Sequence, residues 1–206
     1  MAKLRISYNA PVVLTFAIAS VLVFVIGTQS ASFRAWFIAW PELHDARGYV
    51  GLFSHILGHA SWEHLIGNFM LILLIGPILE ERFGSLQLLV MILITALVTG
   101  LFNVLVMHDA LVGASGIAFM MILLASTANI REGEIPLTFI AVAVIYLGGE
   151  VVRALSKEDQ VSQFAHLVGG AVGAVFGFMS ARRKTPRAAK GTDVLAPKAA
   201  ARKLKA

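Results

Sequence analysis

The chain has 206 residues, 58% of them apolar and 14% charged, with a mean hydropathy of +0.80. A soluble domain carries about a quarter charged residues, so most of this surface must face lipid, and the length allows one domain with tails. The net charge is +5 and there is no cysteine, which excludes disulfides, thiolate catalysis and cysteine-ligated metals.

Six apolar stretches follow in chain order: Pro11–Gly27, Leu65–Leu79, Leu86–Met107, Ile117–Ile130, Ile135–Val152 and Phe164–Ser180. Lipid forbids unpaired backbone, and no barrel-type alternation is present, so all six are expected to be helices. Several fall short of the ~20 residues of a full span and must borrow from their flanks or begin below the surface. The expected fold is all-α and polytopic, with six transmembrane helices. Residues 1–10 form a cytoplasmic N-terminus, 11–181 the membrane domain, and 182–206 a basic, disordered cytoplasmic tail.

Charge sets the orientation. With the N-terminus inside, Lys3, Arg5, Arg82, Arg131 and the nine Lys and Arg beyond Ser180 make 13 inner basic residues; Arg34, Arg47, Arg153 and Lys157 make four outer ones. An even number of spans then puts both termini in the cytoplasm. The tail reads as an anchor on an anionic leaflet. Without interleaved aromatics or a folded reader domain it does not read as a nucleic-acid binder. Lys3 and Arg5, an apolar run and Thr28–Ala31 also fit a cleaved signal peptide, but an uncleaved first helix fits the charge bias better. Between the first two spans, Phe33, Trp36, Phe37, Ile38 and Trp40 suggest a segment lying in the membrane interface.

Polar residues at depth carry the functional information. Counting at 1.5 Å per residue puts Ser115 about 22 Å above Ile130, His166 about 21 Å above Ser180 and His64 about 22 Å above Leu79. All three would sit about 8 Å below the outer surface of a ~30 Å core, with Asn68 one turn deeper than His64. Ser115 lies in Gly113-Ala114-Ser115-Gly116 at the start of a short span. Free backbone N–H groups at such a helix start can stabilise an oxyanion; the plain alternative is a helix N-cap. His166 precedes Gly169, Gly173 and Gly177, whose four-residue spacing makes a smooth face for a close neighbouring helix. It can serve a serine there or merely hydrogen-bond between helices. His55, His59, His64 and Asn68 cluster at i, i+4 spacings. Zinc binding is the sharp alternative, but no His-Glu-x-x-His arrangement exists, and no metal or other cofactor is expected.

Together these residues resemble the rhomboid family. His59-Ala60-Ser61-Trp62-Glu63-His64-Leu65-Ile66-Gly67-Asn68 is similar to its His-x4-His-x3-Asn signature, and Glu80-Glu81-Arg82-Phe83-Gly84-Ser85 to its Glu-x-Arg-x-Gly-Ser. The fourth span opens with its Gly-x-Ser-Gly motif, and Ala165-His166-Leu167-Val168-Gly169-Gly170 is similar to its Ala-His-x-x-Gly. The resemblance covers about residues 50–180. It implies an intramembrane serine endopeptidase in which Ser115 attacks and His166 takes its proton. It further implies an oxyanion site of His64, Asn68 and the Ser115 N–H, with Gly113, Gly116, Phe119, Gly169, His55 and His59 supporting.

Glu80 and Arg82 would tie the inner ends of helices. Two departures stand out: Phe119 replaces a frequent tyrosine, and the first loop lacks the Trp-Arg pair of many bacterial members. Asp109 and Asp159 read as solvated. The partners implied are transmembrane protein substrates and the lipid bilayer, with no nucleic acid. The expected location is a bacterial inner membrane, with the site opening to the outer side. A catalytically dead relative binding membrane clients would be marked by loss of Ser115 or His166. A small transporter would need broken helices and a charged pathway, and neither is evident.

Overall fold

A computed structural model describes residues 7–127, 135, 137–142, 144, 145 and 160–183. It is helical: α1 (Pro11–Gln29), α2 (Ala31–Arg34), α3 (Ala46–Ser54), α4 (Trp62–Phe83), α5 (Ser85–Phe102), α6 (Ser115–Ser126), α7 (Leu137–Val142) and α8 (Gln160–Arg183). A π turn, Asn103–Met107, extends α5. Among the described residues α1, α4, α5 with its π turn, and α8 are long and apolar enough to cross a membrane. Each runs past the apolar stretch that predicted it, because polar flanking residues continue the helix. The fourth expected span is the 12-residue α6, too short to cross alone. Half of the fifth, Ile135–Val152, falls outside the described residues, and α7 lies in the other half. Most of the expected tail and of the N-terminus falls outside them as well; α8 itself continues to Arg183.

The helix ends follow local chemistry. Pro11 opens α1, where its missing N–H costs nothing. The next two N–H groups, of Val12 and Val13, donate to the Glu80 carboxylate at 2.9 and 3.0 Å, and Ser85 Oγ donates to it at 2.7 Å. One buried side chain thus caps α1 and pins the α4–α5 turn, where Gly84 takes φ 84°. Ser61 caps α4 by accepting from His64 N–H, the expected role of a serine there.

The short α6 is the axis of the bundle. Every residue from Ser115 to Leu124 is buried, so this helix is wrapped by neighbours and has no lipid face. Val13, Ile72, Leu88, Ile117, Met120 and Met121 form the surrounding core. Helix α8 packs directly on α6. A Cβ on Gly169 would strike the Gly116 carbonyl, and one on Gly173 the Met120 carbonyl. Small residues therefore permit backbone-to-backbone contact along this seam, as their spacing predicts.

The long first loop is folded. Ala39 and Leu111 exchange backbone hydrogen bonds at 2.9 and 3.0 Å, and Ser54 Oγ donates to the Trp36 carbonyl at 2.5 Å. Helix α3 buries Gly48, Gly51 and Leu52 and exposes Tyr49, Val50 and Phe53. Its inner side meets α5 closely: a Cβ on Gly100 would lie 2.8 Å from the Leu52 carbonyl oxygen. These contacts anchor the loop without a Trp-Arg pair.

Candidate active site

Ser115 is the first residue of α6 and is buried, at 9% exposure. The N-cap position belongs to Ala114, which supplies no side-chain bond. Ser115 is therefore not the cap, and the first N–H groups of α6 point away from the helix without intrahelical partners. One turn later, Phe119 lies face to face with His166, ring centroids 4.3 Å apart and planes within 6°. His166 is itself one turn before Gly169, whose contact with Gly116 sets the height of α8 against α6. Two independent contacts thus hold the His166 ring on the face and at the level of α6 from which Ser115 starts.

The opposite wall comes from α4. Gly113 has φ 124°, a conformation open to glycine and strained for other residues. Space demands glycine as well: a Cβ there would lie 2.7 Å from both Cε1 and Nε2 of His64 and 3.7 Å from Asn68 Nδ2. The imidazole of His64 and the amide of Asn68 thus converge on the backbone two residues before Ser115. Asn68 is buried at 8% exposure, and its Nδ2 finds no acceptor among the described residues. Buried donors are nearly always paired, so an unpaired one facing this loop requires an explanation.

His55 and His59 hold the frame. The His55 carbonyl accepts from Gly113 N–H at 3.0 Å, fixing the loop before Ser115. Its ring Nδ1 meets the Gly51 carbonyl at 3.0 Å, and Nε2 lies 3.3 Å from Thr99 Oγ1, whose hydroxyl donates to the Thr95 carbonyl at 2.8 Å. Burial pushes its pKa down to about 4, so the ring is neutral. His59 donates from Nδ1 to the Leu57 carbonyl at 3.2 Å and packs its ring edge-on to His64, centroids 5.2 Å apart. Burial first, and the neighbouring His64 second, lower its pKa to about 4. Its Nε2 has no partner among the described residues. No three His, Cys, Asp or Glu side chains converge on a point among them either.

Thr99, which the sequence reading passed over, contacts both halves of the site. Besides meeting His55, its methyl group would lie 3.2 Å from a Cβ on Gly116. Threonines inside an apolar helix are an ordinary sight, α5 also burying Thr95, and only the crossing of α5 beneath Gly116 distinguishes Thr99. Asp109 is exposed, with its carboxylate accepting from Ala110 N–H at 2.7 Å; Asp159 is outside the described residues.

Residues 46–183 match the family described as Rhomboid domain. The chain is 24% identical to the rhomboid protease GlpG of Haemophilus influenzae over 132 residues, covering 63% of this chain and 68% of that one. It is 33% identical to rhomboid-related protein 1 of Caenorhabditis elegans over 161 residues, covering 69% of this chain but 42% of the worm protein. The family match runs from α3 to the end of α8 and takes in the whole cluster of His64, Asn68, Gly113, Ser115, Phe119 and His166; the chain belongs to the rhomboid family.

Proposed function

We propose that this protein is an intramembrane serine endopeptidase that hydrolyses peptide bonds in or near transmembrane segments of other membrane proteins. The observation that carries this reading is the parallel contact of Phe119 with His166 one helical turn after Ser115. It offers the serine a base in a fixed orientation, which is the first requirement of a nucleophile–base pair. In this reading Ser115 Oγ attacks the scissile carbonyl carbon while His166 takes the hydroxyl proton. Negative charge develops on the carbonyl oxygen and is met by Asn68, His64 and the Ser115 N–H. His166 then gives its proton to the leaving amine. Water, activated by the same imidazole, releases the acyl group.

Phe119 supplies the stacking surface a tyrosine would, without a hydroxyl. The name of the Haemophilus relative supports protease chemistry. The 13-to-four basic bias supports two cytoplasmic termini. With them go an even number of spans, six in this reading, a site opening to the outer side, and a basic tail that serves as an anchor.

The test is cleavage of a fluorescently labelled single-span substrate by the purified full chain in detergent. The expected result is a defined pair of products. Ser115→Ala and His166→Ala should each lower turnover by roughly 10⁴-fold or more, with the double mutant no worse than either single, and melting unchanged. A metal chelator should have no effect. Substantial turnover in Ser115→Ala overturns the serine mechanism, and loss of activity on chelation overturns the metal-free reading.

A further inference from the structure

A small pocket of about 70 Å³ lies between the end of α1 and the stretch that leads into α4. Phe24 and Gly27 line it from α1, Gly58 and His59 from the other side, and Arg34, the last residue of α2, borders it too. Its polar groups do not match one another. His59 is only 5% exposed, and its Nε2 is buried without a partner among the described residues. Nδ1 meets the Leu57 carbonyl at 3.2 Å. A carbonyl can only accept, and burial keeps this ring neutral, so its one proton is on Nδ1 and Nε2 offers a lone pair. Arg34 brings the opposite, five N–H donors and no acceptor. It makes no ion pair and no side-chain hydrogen bond among the described residues. Its stem lies on α1: a Cβ on Gly27 would be 3.4 Å from Arg34 Cβ and 3.5 Å from Cγ. The Thr28 hydroxyl, also in the lining, is already spent on the Val25 carbonyl at 2.7 Å.

What fits between these groups is a molecule that accepts from a guanidinium and donates to an imidazole. Water does both, whereas an anion such as chloride only accepts. At about 30 Å³ for each molecule the pocket holds roughly two waters, and a bridging water is nearly as favourable as a direct bond. We infer that Arg34 is a positioning residue of the active site: water in this pocket joins its guanidinium to His59 Nε2 and so fixes the ring against which His64 packs. The two imidazoles meet edge-on, centroids 5.2 Å apart, and His64 in turn sits against Gly113, two residues before Ser115. A ring held at both nitrogens keeps one orientation, while one held at Nδ1 alone can rock about that bond. The consequence for turnover rests on the role proposed above for His64; the water bridge itself does not.

The experiment uses the full chain in detergent. A crystal structure that resolves ordered solvent should show water between the Arg34 guanidinium and His59 Nε2. Crystals grown with bromide in place of chloride should give no anomalous signal there. The NMR signal of His59 Nε2 should be that of a nitrogen accepting a hydrogen bond. Arg34→Met, which keeps a stem and removes every donor, should move it. In cleavage of the labelled single-span substrate, Arg34→Met should lower kcat by roughly tenfold, the worth of one hydrogen bond, with KM and melting temperature unchanged. Arg34→Lys should recover most of that loss, because a water needs one donor and not a fork. A dry pocket, bromide in it, or an unmoved His59 signal in Arg34→Met overturns the bridge. Unchanged kcat in Arg34→Met, with or without a lower melting temperature, or no rescue by Arg34→Lys makes Arg34 a packing residue and overturns its positioning role. Absence of cleavage by the native chain defeats the protease reading and that role with it, while the structure and the NMR signal still decide the bridge.

Discussion

The two ends of the bundle both bury polar groups, and they treat them in opposite ways. At the Glu80 end each carboxylate oxygen has a donor: Val12 and Ser85 on one, Val13 on the other. At the Ser115 end, Asn68 Nδ2 and His59 Nε2 are buried with no partner among the described residues. A saturated polar cluster in a membrane protein stabilises the packing of helices. An unsaturated one costs stability; under the function we propose, the missing partner of Asn68 arrives with a substrate. The contrast separates what holds this fold from what we propose it does.

The contrast can be broken first at its stable end. Glu80→Ala removes three bonds to a charged acceptor and strands two N–H groups of α1. At 1.5–3 kcal/mol for each such bond, less what water recovers at the helix end, the loss should be on the order of 3–5 kcal/mol. The melting temperature in detergent should fall sharply, while turnover per folded molecule is retained. Asn68→Ala should do the reverse. A single oxyanion donor is worth about 2.7–4 kcal/mol of transition-state stabilisation, or roughly 100- to 1000-fold in turnover. Because Asn68 Nδ2 finds no acceptor among the described residues, melting should hold steady or rise. If melting falls and turnover does not, Asn68 is structural and the contrast fails.

Acid gives the smallest effect. His55 is held neutral, its pKa lowered from 6.5 to about 4. As pH falls the unfolded chain takes up this proton first. The stabilisation is complete above about pH 6.5 and is lost progressively toward pH 4. At pH 5.5 the loss should be on the order of 1 kcal/mol, seen as a lower melting temperature. His55→Gln should flatten that dependence, and an unchanged slope would mean that the ring is not the titrating group.

Much of this was legible in the sequence, for identifiable reasons. Glycine at four-residue spacing after His166 has one economical meaning in lipid, and Gly169 and Gly173 do meet the α6 backbone. Helical counting brought Ser115, His64 and His166 to one level because straight helices of known rise leave little freedom. Other features stayed hidden because they depend on crossings between distant segments. Glu80 reaches Val12 and Val13 across 68 and 67 residues, a contact the family motif implied only in outline. The bridge between Ala39 and Leu111 anchors the first loop with backbone atoms alone, which leave no mark on side-chain pattern. Apolarity alone also does not distinguish lipid from protein as a neighbour: α6 is buried from Ser115 to Leu124, and only the packing of the other helices shows it.

The central claim is that Ser115 is a nucleophile activated by the imidazole stacked on Phe119. Labelling with a fluorophosphonate, followed by peptide mapping, tests it without any need to know the substrate. We expect a single covalent adduct on Ser115 in the native chain, little or none in His166→Ala, and none in Ser115→Ala, with all three equally folded. An adduct that maps to another residue, or labelling of Ser115 that is undiminished in His166→Ala, would contradict the account.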